Sequence, residues 1–120
     1  MKTNLIIEDE SALQKTLGDA LSQEGFEILS ALDGETGLRL ATEKNPDVIL
    51  LDLILPKANG FDVLKSLKEQ EATKNIPVVV LTNLESMEDI QKALDLGAMT
   101  YLVKSNYTLE EVVEKVKKAL

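Results

Sequence analysis

Four charged side chains stand directly after short apolar runs, in positions where they could do chemistry together. Glu8 and Asp9 follow one such run, Asp52 follows a second and Lys104 follows a third. Carboxylates can bind a hard divalent cation, and an aspartate can also act as a nucleophile. A lysine ammonium can pair with carboxylates or with an anionic group. Joint chemistry requires a fold that brings the ends of these runs to one place.

The composition excludes several other kinds of chemistry. The 120-residue chain has no cysteine and no histidine, which excludes disulfides, thiolate zinc sites and a Ser-His-Asp triad. It has 13 basic and 21 acidic side chains, a formal net charge of −8, which argues against direct nucleic-acid binding. An oxygen-ligated cation and a carboxylate nucleophile remain.

The length and the apolar pattern indicate one water-soluble domain. The chain is 44% hydrophobic, too apolar for a disordered segment. No apolar run approaches the roughly 20 residues that a membrane helix needs, and the N-terminus has no signal-peptide pattern. We expect a single domain over residues 1–120 in the cytoplasm, with no membrane contact and no output domain attached.

Short β-branched runs alternate with helical patterns along the whole chain. The predicted strands are Asn4–Ile7, Phe26–Ser30, Asp47–Leu51, Pro77–Leu81 and Thr100–Val103. The predicted helices are Ser11–Glu24, Glu35–Lys44, Phe61–Glu69, Ser86–Leu96 and a last one from Thr108 to the C-terminus. Capping-box patterns are predicted at Ser11–Gln14 and at Thr108–Glu111.

Strict alternation of strands and helices predicts an α/β fold. Apolar strands joined by helices form a parallel sheet with helices on both faces and right-handed crossovers. Five strands favour the flavodoxin-like, doubly wound (βα)5 order 2-1-3-4-5. In that order the first and third strands are neighbours at the topological switch, so Glu8, Asp9 and Asp52 should converge. Thr82 and Lys104, which follow the last two strands, should lie at the same edge.

This arrangement resembles the receiver domain of two-component response regulators. The resemblance covers essentially the whole chain. It rests on Asp52-Leu53-Ile54-Leu55-Pro56 with Gly60, on Leu81-Thr82 and Gly97-Ala98, and on Tyr101 three residues before Lys104.

The resemblance implies a phosphoacceptor and a metal site. Asp52 would accept a phosphoryl group from a histidine kinase or a phosphotransfer protein. The cofactor would be Mg²⁺, bound by Glu8, Asp9, Asp52 and the backbone carbonyl of Ile54. The chain would be no enzyme in the usual sense, since it would catalyse at most its own phosphorylation and dephosphorylation.

The resemblance also implies a switch. Lys104 and Thr82 would contact the phosphoryl oxygens, and Thr82 would move toward them while Tyr101 turns inward. The surface of the fourth helix, fifth strand and fifth helix would then bind an unknown downstream protein. The chain would be a monomer or a weak, phosphorylation-dependent dimer. Met99-Thr100 replaces an acidic pair often seen in receivers that dimerise through this surface, which leaves the dimer mode open.

Two further departures from the family pattern, and two apolar residues, have consequences for the site. Glu8 replaces the commoner aspartate, and metal binding should survive the extra methylene. Ser105 replaces the proline that normally follows Lys104, so we predict a trans peptide there. The resemblance also implies that Ile54 and Leu84 flank the approach of water to the phosphoryl group; their side chains cannot hydrogen-bond water, which predicts slow loss of the phosphoryl group.

Two other functions fit the predicted fold. The chain could be a degenerate or engineered interaction module that keeps the receiver fold without phosphorylation. It could also be a flavodoxin-like electron carrier, but Glu8-Asp9-Glu10 would repel a flavin phosphate where such a protein needs a phosphate-binding loop.

Overall fold

The structure, a computed structural model, describes all 120 residues and contains the alternation that the sequence predicts. The strands are β1 (Thr3–Ile7), β2 (Glu27–Ala31), β3 (Val48–Leu51), β4 (Val78–Thr82) and β5 (Thr100–Val103). The helices are α1 (Ser11–Gln23), α2 (Gly34–Lys44), α3 (Gly60–Glu69), α4 (Met87–Asp95) and α5 (Leu109–Lys118). A short 3-10 helix, Lys104–Asn106, connects β5 to α5. The predicted elements are confirmed, with their ends moved by a residue or two.

The five strands form one parallel sheet in the order β2-β1-β3-β4-β5, as predicted. The register places Ile7, the last residue of β1, beside Leu51, the last residue of β3. The backbone N–H of Asp52 donates to the Ile7 carbonyl at 3.0 Å, which extends this pairing one residue past the strands. The residues that follow β1 and β3 therefore start from adjacent points on one edge of the sheet.

Both faces of the sheet are covered, which explains why every residue of the central strand β3 is apolar. One face packs against α2, α3 and α4 through β-strand residues such as Leu5, Leu51 and Val80. The other face packs against α1 and α5 through residues such as Ile6 and Val79. Because neighbouring residues of a strand point to opposite faces, each central strand contributes to both cores. No helix combines the length and the apolar character needed to cross a bilayer.

One capping prediction is confirmed and the other is wrong. Thr108 and Glu111 form the reciprocal capping box at the start of α5. At α1, however, the N-cap is Glu10 and makes no side-chain capping bond. The Ser11–Gln14 pattern fails because the Gln14 side chain is buried against the ends of the strands, where backbone carbonyls compete for its amide.

Candidate functional site

The buried carboxylate of Asp52 lies at the centre of the C-terminal edge of the sheet. Its backbone is held by the Ile7 carbonyl, as described above, and its side-chain Oδ1 accepts a 3.1 Å hydrogen bond from the backbone N–H of Ile54. This local turn fixes the direction of the carboxylate. Asp52 is only 5% exposed, so its charge needs a partner within the protein.

That partner is Lys104, which contacts two buried acids at once. Its Nζ lies 2.7 Å from Glu8 Oε1 and 2.8 Å from Asp52 Oδ2. Glu8 is 2% exposed. Its other oxygen, Oε2, accepts a 2.9 Å hydrogen bond from the backbone N–H of Glu10. One ammonium therefore offsets two carboxylates that have almost no contact with water.

The pKa values of Glu8 and Lys104 are both raised, but for different reasons. Burial is the largest influence on Glu8 and raises the pKa of its carboxyl; the Asp52 charge acts in the same direction, against the hydrogen bonds from Lys104 and Glu10. Burial disfavours the charge of Lys104, but its hydrogen bonds to Asp52 and Glu8 and their charges outweigh burial, so the pKa of Lys104 is raised. The Lys104 ammonium is therefore protonated at neutral pH, whereas burial disfavours the charged form of the Glu8 carboxyl.

Glu8, Asp9 and Asp52 form a cluster whose donor atoms suit a hard cation. One carboxylate oxygen from each residue lies within 4.8 Å of the others. Glu8 and Asp52 are buried, whereas Asp9 is exposed, so the cluster has one open side. Oxygen ligands at the mouth of a site match the preference of Mg²⁺, which keeps several waters when it binds. These residues fit the predicted metal, and the nearby ammonium leaves a net negative charge to attract it.

The Lys104–Ser105 peptide is trans, as predicted from the missing proline. The chain continues directly into the 3-10 helix Lys104–Asn106. The lysine side chain nevertheless reaches both acids, as its distances to Glu8 and Asp52 show.

Thr82 and Tyr101 are linked through the backbone of Leu84. Thr82 is fully buried at the end of β4, and its Oγ1 lies 3.5 Å from the Leu84 N–H, a long contact. The Tyr101 hydroxyl donates to the Leu84 carbonyl at 2.8 Å. Burial, followed by the charges of Asp89 and Asp52, raises the pKa of Tyr101 to about 12, so the hydroxyl stays a donor. Tyr101 is therefore tied to the connection between β4 and α4.

Two apolar side chains follow the acid and the threonine at the predicted positions. Ile54 comes two residues after Asp52 and is 52% exposed. Leu84 comes two residues after Thr82, is half-buried and packs against the core face that contains Tyr101. Neither side chain can orient a water molecule by hydrogen bonding.

Of the residues selected from the sequence, Glu8, Asp9, Asp52 and Lys104 come together in one cluster. Thr82 and Tyr101 form the separate link through Leu84. Sequence reasoning missed Gln14, because its spacing from Ser11 matched a helix cap. The only available signal was its position, in the first turn of a helix that begins next to the acids.

A parallel five-stranded α/β sheet with acids and a lysine at its C-terminal edge is the architecture of a response regulator receiver domain. The family model for the response regulator receiver domain matches residues 5–117, and the chain belongs to this family.

The curated relatives are longer regulators. The DNA-binding dual master transcriptional regulator RpaA of Synechocystis is 39% identical over 116 residues, which cover 97% of this chain and 48% of that protein. The transcriptional regulatory protein PrrA of Mycobacterium tuberculosis is 38% identical over 116 residues, with the same coverage of 97% and 48%. The chain thus spans about half the length of these relatives.

Solved structures of similar length show the same fold. The chemotaxis response regulator CheY4 of Vibrio cholerae superposes with a TM-score of 0.92 at 28% identity, covering 100% of this chain and 99% of that one. The receiver domain of the Francisella response regulator 1452 gives 0.91 at 28% identity, covering 99% and 96%.

Proposed function

We propose that the chain accepts a phosphoryl group on Asp52, in a Mg²⁺-dependent reaction, from a histidine kinase or a phosphotransfer protein. The observation that carries this proposal is the buried Asp52 carboxylate, held by Lys104 beside two further acids at the C-terminal edge of the sheet. Membership of the receiver family supports it. We propose that the chain acts in the cytoplasm.

The proposed step is a displacement at phosphorus. A carboxylate oxygen of Asp52 forms a bond to phosphorus, and the bond from phosphorus to the donor atom breaks, with its electron pair leaving on the donor. With acetyl phosphate the leaving group is acetate. Lys104 and Thr82 would stabilise the charge on the phosphoryl oxygens. The chain would catalyse at most this step and the hydrolysis of its product.

Glu8, Asp9, Asp52 and the backbone carbonyl of Ile54 would hold Mg²⁺. When bound, the ion would supply the positive charge that lets an anionic phosphoryl group approach a cluster of carboxylates. Lys104 alone already contacts two of these carboxylates and cannot offset all of them.

The response would travel through the link between Thr82, Leu84 and Tyr101. A Thr82 hydroxyl drawn toward a phosphoryl oxygen would release its long contact with the Leu84 N–H, while Tyr101 holds the Leu84 carbonyl. Leu84 precedes α4, so the loss of this contact would shift the equilibrium between two packed states of the surface formed by α4, β5 and α5. We propose that this surface binds a downstream protein, with the chain a monomer or a weak, phosphorylation-dependent dimer.

Incubation with acetyl phosphate tests the proposal. We expect the intact mass of the native protein to rise by one phosphoryl group in the presence of Mg²⁺, and we expect chelation of the metal to abolish the rise. A protein that binds Mg²⁺ but never gains a phosphoryl group would be an interaction module with a receiver fold.

We expect slow spontaneous loss of the phosphoryl group, and a faster loss when a polar group is introduced beside it. Replacing Ile54 by asparagine should raise the decay rate by about tenfold, because an amide can orient the attacking water. Leu84→Glu should act in the same direction. The decay of phosphorylated protein, followed by mass spectrometry, measures the rates. Ile54→Val is the matched control and should decay like the native chain; equal rates in all of these proteins would contradict the prediction.

A further inference from the structure

The buried side chain of Gln14 ties together the ends of two strands. Gln14 is 7% exposed. Its Nε2 lies 3.0 Å from the Ile6 carbonyl, 3.2 Å from the Glu8 carbonyl and 3.1 Å from the Ala31 carbonyl. An amide nitrogen has two hydrogens, so these carbonyls share the donors between them. Ala31 ends β2, Ile6 lies in β1 and Glu8 directly follows β1, so this single group holds both strand ends and α1 together.

The carbonyl of Glu8 belongs to the peptide that joins Glu8 to Asp9. On the other side of Glu8, its N–H donates to the Ala31 carbonyl at 3.0 Å. The backbone of Glu8 is therefore held at both its N–H and its C=O. Fixing this peptide plane fixes the directions in which the side chains of Glu8 and Asp9 leave the backbone.

Asp9 depends on this backbone more than Glu8 does. The Glu8 carboxylate has its own partners, the ammonium of Lys104 and the N–H of Glu10. The Asp9 carboxylate is exposed, and no protein group donates a hydrogen bond to it. The peptide that Gln14 holds is thus the restraint that fixes where the Asp9 side chain leaves the backbone.

The oxygen and the nitrogen of the Gln14 amide have different surroundings. Gln14 Oε1 is buried and has no hydrogen-bond partner. The side chain is therefore held through its donor end alone, by acceptors at the strand ends. Gln14 therefore serves as a hydrogen-bond donor to backbone carbonyls at the strand ends. It does not form the helix cap that its spacing from Ser11 predicted.

We propose that Gln14 is a positioning residue for the acids that bind the metal. Resting on the proposed function, the inference is that Gln14 holds the Glu8–Asp9 peptide so that the carboxylates of Glu8, Asp9 and Asp52 meet at distances a single cation can span. Gln14 would act through this peptide, without contacting the phosphoryl group or the metal. Loss of its donors should weaken Mg²⁺ binding and leave the nucleophile and Lys104 in place.

The test is calorimetric titration with Mg²⁺ alone. Gln14→Met removes the donors and keeps an unbranched side chain of similar size. Gln14→Asn keeps the amide but falls one methylene short of the carbonyls, and it decides the question if the methionine variant does not fold. Thr73→Val is the control, because it removes another buried side-chain hydrogen bond, from Thr73 Oγ1 to the Leu67 carbonyl at 2.6 Å, away from the acids.

We expect the dissociation constant for Mg²⁺ to rise about tenfold in both Gln14 variants and to stay at the native value in Thr73→Val. Phosphoryl uptake from acetyl phosphate should need correspondingly more Mg²⁺ to reach half its maximal rate, while the rate at saturating Mg²⁺ stays close to native. An unchanged dissociation constant in the Gln14 variants, or an equal rise in Thr73→Val, would contradict the positioning role of Gln14 and leave the proposed function intact. Failure of the native protein to bind Mg²⁺ would overturn the metal site of the proposed function together with it.

Discussion

We expect the Asp52→Asn variant to fold and to take up no phosphoryl group from acetyl phosphate in the presence of Mg²⁺. An amide has no nucleophilic carboxylate oxygen, so the acyl phosphate cannot form. The variant should remain folded because Lys104 keeps Glu8 as a partner at 2.7 Å. The removal of one of two neighbouring buried negative charges also relieves their repulsion. Intact mass measures the uptake, and circular dichroism checks the fold.

Asp33→Asn provides the matched control. Asp33 lies on the connection between β2 and α2, at the same edge of the sheet, and caps α2 by accepting from Thr36. Asparagine caps helices about as well as aspartate, so this variant should keep its fold and take up phosphoryl groups like the native chain. Uptake by Asp52→Asn at the native rate would mean that another side chain is the acceptor.

Replacing Lys104 by methionine should produce the largest loss of stability of any single substitution at the site. It leaves the carboxylates of Glu8 and Asp52 buried without their cation, and removing one partner of a buried ion pair costs about 3–5 kcal/mol. We expect the free energy of unfolding, measured with urea at neutral pH, to fall by an amount of this order. Added Mg²⁺ should restore part of it, because an ion that binds only the folded state stabilises that state.

The pH dependence of this loss follows from the direction of the pKa of Glu8. Because its folded-state pKa lies above the usual value of 4.5, the folded chain binds this proton more tightly than the unfolded chain does. Protonation of Glu8 therefore stabilises the folded chain. This stabilisation is complete below the unfolded-state pKa of Glu8 and is lost as the pH rises through its folded-state pKa. Lys104 lowers the pKa of Glu8, so its loss should raise that pKa further. The difference in free energy of unfolding between the native chain and Lys104→Met should therefore shrink as the pH falls from neutral toward the range where carboxyls protonate.

Lys118→Met is the control for the loss of a lysine. Lys118 is an exposed residue in the last turn of α5, so its removal should change the free energy of unfolding only slightly. A Lys104→Met variant as stable as Lys118→Met at every pH would show that the buried acids do not depend on the ammonium.

The convergence of the acids could be predicted from the sequence because it depends on topology alone. Once strict alternation implied a parallel sheet in the order 2-1-3-4-5, the ends of β1 and β3 had to be neighbours, as the pairing of Ile7 with Leu51 shows. The partner of these acids was also predictable, since Lys104 is the charged residue that follows β5 and excess negative charge at that edge requires a cation.

The hydrogen-bond partners of Gln14 and Tyr101 could not be predicted in the same way. A Ser-x-x-Gln pattern fits a helix cap, and only the folded chain shows that carbonyls from two strands meet the Gln14 amide. The hydrogen bond from the Tyr101 hydroxyl depends on the direction of the Leu84 carbonyl, which local sequence does not determine. Both are tertiary hydrogen bonds of residues whose types also suit simpler local roles.

The position of the phosphoryl group tests the central claim most directly. Borohydride reduces an aspartyl phosphate to homoserine, which peptide mass analysis can locate within the chain. After incubation with acetyl phosphate and Mg²⁺, we expect homoserine in place of Asp52 and at no other position, and none when the metal is chelated. Homoserine in place of Asp9, or a borohydride-resistant phosphate on a serine or threonine, would contradict the assignment of Asp52 as the phosphoacceptor.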